Sequence, residues 1–232
     1  MIVEREGNIF TTQAKTIVNT VNCVGVMGAG IAFEFRLRYP DMYAKYQKFC
    51  DEGLISIGKL WRYKAQDREI LAFPTKDDWR YPSKEIFLHK GLEKFLVTYR
   101  SLGIESIAFP ILGADKGGIE ASRALEIMYS YLKDCDIDIE IWHFDPTAKD
   151  DKYESFKALL ESLDDKKIHE ETGIGLSILK KIREGMENPS INSLSGLLRI
   201  KGVGERSLEK LFGYVESKSK EVTLLSYLDR CE

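Results

Sequence analysis

The chain has 232 residues, 44% of them hydrophobic, with 34 Lys and Arg against 37 Asp and Glu and a formal charge of −3. That length and balance describe a soluble globular chain of one α/β domain plus a small appendage, and not a nucleic-acid binder that is basic as a whole. Four dispersed cysteines (Cys23, Cys50, Cys135, Cys231) without a CxxC pair argue against a zinc site or a disulfide scaffold and fit a reducing cytoplasm, while Met1-Ile2-Val3-Glu4-Arg5-Glu6, with neither a basic nor an apolar region, and the lack of an apolar run of about 18 residues argue against a signal peptide and a membrane span.

In chain order, residues 2–5 and 16–21 predict strands joined through the turn Gly7-Asn8. Beyond the second strand, Asn19 and Asn22 lead into Gly25-Val26-Met27-Gly28-Ala29-Gly30-Ile31 and a helix over 28–38. Glycines let the backbone approach a ligand, the free N–H groups at a helix start favour an anion such as phosphate, and asparagine amides suit sugar hydroxyls. The loop carries neither GxGxxG nor GK[ST], so it is neither the dinucleotide fingerprint nor a P-loop. A helix over 41–52 follows between Pro40 and Gly53, then strands over 59–63 and 69–73. Residues 84–101 predict an amphipathic helix with Ile86, Leu88, Leu92, Phe95, Leu96 and Tyr99 on its inner face. A strand over 106–111 precedes a second glycine loop at 113–118, a helix over 121–133 and a closing strand over 137–144. Such alternation predicts a three-layer α/β/α domain with a mixed sheet, and ligands of such sheets bind outside the carboxyl ends of the strands, where both glycine loops arrive.

Composition shifts after Asp145-Pro146. Residues 153–163 read as a capping or bridging helix that closes a first domain of residues 1–163, with Asp164-Asp165-Lys166-Lys167 as linker and 168–232 as a small all-α domain. That domain holds an internal repeat: Gly173-Ile174-Gly175 and Gly202-Val203-Gly204, each followed by a helical stretch, stand 29 residues apart. Between Gly173 and Lys220 nine basic residues face five acids. The pattern resembles the helix-hairpin-helix motif, which implies contacts from Gly173, Gly175, Gly202, Gly204, Lys201 and Arg206 to a DNA backbone. A helical dimerisation module, or a helix-turn-helix domain over 176–198, reads the same segment differently.

For chemistry, Lys76 in Phe73-Pro74-Thr75-Lys76 stands at the end of a strand on the edge that receives the glycine loops. A desolvated amine can attack an electrophilic carbon such as the anomeric carbon of a ribose, whereas a solvated surface charge would do nothing there. His89 and His143 read as satisfied histidines, Cys23 as a packing residue, and Trp79 and Tyr81 either line the cleft or cap the core.

Three stretches in order, Val18 to Ala32, Phe73 to Lys76 with Trp79, and Phe109 to Gly118, resemble a macrodomain over about residues 1–146. The resemblance is to the DNA ADP-ribosyl glycohydrolase antitoxins of the DarG type and the related terminal ADP-ribose glycohydrolases. It implies ADP-ribose as ligand, with Asn8 and Ile9 at the adenine and Asn22 at the distal ribose. Asn19, Thr75, Trp79 and the loops Gly25 to Ile31 and Leu112-Gly113-Ala114-Asp115-Lys116-Gly117-Gly118-Ile119 complete the pocket. Lys76 is then the catalytic lysine, assisted by Glu120 or Asp115. Macrodomains usually carry aspartate in place of Asn8, and the second loop departs from the Gly-Cys-Gly-Leu-Gly-Gly-Leu-Asp of many antitoxins, so both carboxylates stay open as candidates.

Three readings follow. The first is a glycohydrolase that frees mono-ADP-ribose from nucleic acid, thymidine-linked in DNA, as an antitoxin or in repair, with DNA and a cognate ADP-ribosyltransferase toxin as partners. The second is a hydrolase of glutamate-linked ADP-ribose or O-acetyl-ADP-ribose, and the third is a module that binds ADP-ribose without turnover. None of them calls for a metal or cofactor.

Overall fold

A computed structural model describes the backbone of residues 1–228 and their side chains except at 151 and 220–228, so Cys231 and the Lys220 side chain lie outside the described residues. The chain forms two compact units, Met1–Asp145 and Pro146 onward. No helix among the described residues is long and apolar enough to cross a membrane.

In the first unit, strands β1 (Ile2–Gly7), β2 (Thr16–Val21), β3 (Trp61–Lys64), β4 (Glu69–Pro74), β5 (Ser106–Pro110) and β6 (Asp138–Phe144) make one sheet in the order β1-β6-β5-β2-β4-β3. Every neighbouring pair is parallel except β3 with β4. Parallel strands need crossovers, and helices supply them: α1 (Gly30–Arg38) and α2 (Pro40–Asp51) after β2, α3 (Glu85–Thr98) after β4, and α4 (Ala121–Leu132) after β5. The expected three-layer α/β/α arrangement with a mixed sheet is what forms.

The central strands are apolar on both faces because both faces are covered. On one side Val18, Leu71, Phe109 and Ile141 pack with Leu88, Leu92 and Phe95 of α3 and Ile127 and Leu132 of α4. On the other, Ile17, Ile70 and Ala108 pack with Phe35 of α1 and Met42 and Tyr46 of α2. Burial of each large side chain stabilises the unit by about 1.5–3 kcal/mol. Gly91 lets α3 lie flat on the Phe73 ring, which occupies the space a Cβ would need.

Ile86, expected on the inner face of α3, is 51% exposed. The buried stripe runs through Leu88, Leu92, Phe95 and Tyr99. Two residues before Leu88 is about 200° around the helix, on the opposite side.

The second unit contains α5 (Asp151–Glu161), α6 (Asp165–Thr172), α7 (Leu176–Met186), a 3-10 turn at Ser195–Arg199 and α8 (Glu205–Leu228). This moves the expected boundary. Residues 153–163 belong here, because Phe156 meets Phe212 of α8 at 5.8 Å between ring centroids and Lys152 pairs with Glu216 at 2.9 Å. Residues 164–167 are no linker: Asp164 caps α6 by accepting from the Lys166 N–H, and Asp165 binds the Arg183 guanidinium at 2.7 Å. Acidic caps and first-turn acids give a helix start the polarity of a linker.

The repeated glycine hairpins lie between helices, with Ile174 and Val203 buried and α7 and α8 starting at Leu176 and Glu205. The copies touch reciprocally. The Lys210 amine donates to the Thr172 carbonyl at 3.1 Å, while the Lys181 amine lies 3.2 Å from where a Cβ on Gly202 would stand.

Candidate active site

Because β5, β2 and β4 are adjacent and parallel, their carboxyl ends bring three segments to one edge: the first glycine loop, Thr75–Lys76, and the second glycine loop.

The first loop is organised from within. The Asn22 carboxamide donates to the Val26 carbonyl at 2.5 Å and accepts from the N–H groups of Val24 and Val26 at 3.0 and 3.3 Å. The buried Tyr46 hydroxyl of α2 clamps it, donating to the Asn22 carbonyl at 2.6 Å. Asn22, expected at a ribose, is therefore turned into the loop it shapes. Asn19 is fully buried, its Nδ2 3.8 Å from the buried Met27 sulfur and its Oδ1 without a partner in the protein. Both Asn19 and Met27 form the floor of the loop. At its end Gly30 takes φ +54°, which turns the chain into α1, and Ala29 makes no side-chain cap. The first-turn N–H groups of α1 are thus left for an anion.

The second loop meets the first: Lys116 Cγ lies 3.9 Å from the position of a Cβ on Gly30. The Ser83 N–H donates to the Gly117 carbonyl at 2.8 Å, and the Ser83 hydroxyl is buried without a partner. Leu112 and Thr75 are buried, and the Leu112 N–H is engaged by the Met128 sulfur at 3.4 Å. Asp115 has φ +42°, is the one non-glycine residue with positive φ among the described residues, and is exposed.

Lys76 is held by its backbone. The Thr75 and Lys76 N–H groups donate to the Val21 carbonyl at 2.9 and 3.4 Å, and the Cys23 N–H donates to the Asp77 carbonyl at 3.0 Å. Lys76 is half-buried, and its amine donates on the exposed side to the Trp79 carbonyl at 3.5 Å. Trp79 and Tyr81 are 53% and 64% exposed, so they stand on the open surface and do not cap the core. Hydrogen bonds from Arg80 hold the Asp78 carboxyl down to about 2, which keeps it an anion.

The two candidate carboxylates part company. Glu120 caps α4, accepting from the N–H groups of Ser122 and Arg123 at 3.1 and 3.0 Å and from the Ser122 hydroxyl. Those bonds, the Ser122 hydroxyl first, hold it below the usual carboxylate range. A carboxylate so engaged is a poor proton donor at neutral pH. Asp115 is exposed, as Glu120 is.

Burial pushes the Cys23 thiol up to about 12, so it stays protonated and donates to the Lys76 carbonyl at 3.4 Å. His89 pairs with the Tyr131 hydroxyl at 2.8 Å and His143 with Glu4 at 2.5 Å, as satisfied histidines do. At the other end of the edge, Asn8 Oδ1 accepts from the Phe10 N–H at 3.0 Å and Ile9 is buried in the core. What the sequence reading missed is Phe144, 69% exposed and in register with Gly7. Its signal was an apolar residue at a strand end just before Asp145-Pro146.

Residues 18–128 match the family described as Macro domain. The chain is 37% identical over 144 residues to the DNA ADP-ribosyl glycohydrolase of Thermus aquaticus, covering 60% of this chain and 40% of that protein. It thus spans about two fifths of the length of the curated relatives it matches. Among solved structures, the macrodomain of Mycobacterium tuberculosis DarG aligns with a TM-score of 0.59 at 38% identity, over 61% of this chain and 97% of that one. The Thermosipho africanus DarTG in complex with ADP-ribose aligns with a TM-score of 0.57 at 31% identity, over 60% of this chain and 40% of that one. With a relative at this identity matched along nearly its whole length, the chain belongs to the macrodomain family.

Proposed function

We propose that the chain is an ADP-ribosyl glycohydrolase that removes mono-ADP-ribose from nucleic acid, with thymidine in DNA as the linked base, as an antitoxin or in repair. Carrying this reading is the delivery of Lys76 to the phosphate-cradling loops by the strand next to β2, its main chain bonded to Val21. The name of the Thermus aquaticus relative and the ligand of the Thermosipho africanus structure agree with it.

In this mechanism the α1 N-terminus and the second loop hold the pyrophosphate, and the exposed Phe144 ring offers a platform to the adenine. The Lys76 amine, as free base, attacks the anomeric carbon of the distal ribose. The bond from that carbon to the base breaks, and its electron pair leaves with the base, which takes up a proton. Asp115 carries the proton that the amine loses on attack to the departing base, then takes a proton from the water that attacks the same carbon and passes it to the amine as the carbon–lysine bond breaks, which frees ADP-ribose and Lys76. Glu120 keeps loop and helix in place.

The second unit adds backbone affinity for DNA through its glycine hairpins, with exposed Lys201 and Arg206 beside them. The reciprocal contacts of its two copies support a helix-hairpin-helix duplication. A cognate ADP-ribosyltransferase toxin is the expected partner of the antitoxin role.

The test is turnover of ADP-ribosylated single-stranded DNA, glutamyl-ADP-ribosylated protein and O-acetyl-ADP-ribose by wild type and Lys76→Ala, with ADP-ribose affinity measured by calorimetry. Release of ADP-ribose from DNA that Lys76→Ala abolishes without loss of affinity is the expected result. Full activity of Lys76→Ala on DNA overturns the lysine mechanism. Binding without turnover of any substrate leaves a reader module.

A further inference from the structure

We infer that an open groove on the edge of the first unit, between α2 and β3, is the track for the single-stranded nucleic acid that flanks the modified nucleotide. This rests on the proposed activity and names a second surface for its substrate.

The groove, of about 540 Å³, is lined by Lys45, Lys48, Phe49, Trp61, Tyr63 and Lys64 among others. Its rings are ordered: Phe49 meets Trp61 edge-on at 5.2 Å and Trp61 meets Tyr63 at 5.8 Å between centroids. Trp61 and Tyr63 are half-buried, each with part of its ring still open. The Lys45 amine lies 5.3 Å from the centre of the Tyr63 ring. The other cations are not equivalent. Arg62 is committed to Glu69 at 3.2 Å and to the Leu102 carbonyl, and Lys64 shares Glu69 at 3.5 Å. Lys48 has only a 3.8 Å contact with Glu52 on an exposed turn. Lys45 and Lys48 are therefore the positive charges this groove offers, in a chain whose net charge is −3.

Stacking rings interleaved with lysines match a flexible polyanion whose bases are free to stack. A duplex hides its base faces, and an acidic peptide has no faces to stack. Position supports the same occupant. In register Trp61 stands opposite Ala72, four residues before Lys76 on β4. The other wall is the Lys45, Lys48 and Phe49 face of α2, whose opposite face bears on the first glycine loop: a Cβ on Gly25 would lie 3.6 Å from Gln47 Cα and from Cys50 Cβ. The groove thus flanks the strand that delivers the lysine, with α2 between it and the first glycine loop.

The test uses the full chain carrying Lys201→Ala and Arg206→Ala, so that the hairpins of the second unit do not dominate binding. Into it go Lys45→Ala and Lys48→Ala, both exposed. Anisotropy of an unmodified single-stranded oligonucleotide should show an affinity loss of about tenfold, with the slope of log K against log salt reduced by about 1.4 for two lost phosphate contacts. The KM for an ADP-ribosylated oligonucleotide should rise similarly with kcat unchanged, while hydrolysis of an ADP-ribosyl nucleoside without flanking residues stays as it was. Unchanged affinity, slope and KM overturn the track, and so does heparin or duplex competing as well as the single strand. If no ADP-ribosylated DNA is turned over at all, the proposed activity fails, and the anisotropy series still decides whether the groove holds a strand.

Discussion

Both units set glycines before a helix and leave first-turn N–H groups for an anion, yet they are built differently around that device. In the first unit the loop before α1 is fixed from inside by Asn22, clamped by Tyr46, and strapped to the strand that carries Lys76. In the second, each hairpin buries the apolar residue between its glycines, Ile174 or Val203, and the Ile174 main chain is also bonded by His169 and Thr172 of the preceding helix. In the proposed mechanism, the loop becomes a reaction site because a sheet edge delivers Lys76 to it. In the second unit the proposed role is backbone contact alone.

The sharpest way to break this contrast is Lys76→Ala. It should lower kcat on ADP-ribosylated DNA by about 10³-fold or more while ADP-ribose affinity changes by less than about twofold, the signature of an interaction made in the reaction step alone. Stopped turnover with lost affinity would make Lys76 a binding residue. Next is the pair of carboxylates. Asp115→Asn should cost about 10²-fold in kcat, in the range of general acid–base catalysis, and Glu120→Gln only a small fraction of that.

A third comparison sets like backbone strain in the two units side by side. Gly30 and Gly202 have φ +54° and +90°, and a side chain in the left-handed region costs about 1–2 kcal/mol. Gly30→Ala should weaken ADP-ribose binding about tenfold and spare DNA affinity, and Gly202→Ala should do the reverse. Calorimetry with ADP-ribose and anisotropy with DNA read both, and a crossed effect would dissolve the division of labour. On the second unit alone, Lys201→Ala with Arg206→Ala should reduce the salt slope of duplex binding by about 1.8.

The smallest effect is a pH dependence. Because the native Glu120 carboxyl titrates below its ordinary value of 4.5, its cap contributes fully above that value and is lost as pH falls through the lower native one. Thermal denaturation of wild type and Glu120→Gln should differ at neutral pH and converge in strong acid.

Much of this was legible beforehand. The strands and helices of the first unit, and the meeting of Lys76 and two glycine loops at one edge, follow from alternating periodicities and from glycines placed after strands. Less legible were the roles of amides and acids. Asn22 has the same letters whether it faces a sugar or its own loop, and Glu120 is acidic both as a cap and as a catalyst. The composition shift after Asp145 was visible, but not the side to which residues 153–163 belong, because the stripe of Tyr153, Phe156 and Leu160 shows that a helix needs a partner but not which element supplies it.

The sequence by itself determined what local spacing encodes: the order of elements, the apolar faces, the glycine loops and the lysine at a strand end. Tertiary structure alone decided which polar groups remain for a ligand. A hydrogen-bond partner is a matter of distance across the fold: Tyr46 reaches Asn22 over 24 positions, and Asp77 reaches Cys23 over more than twice as many. No window along the chain contains such pairs.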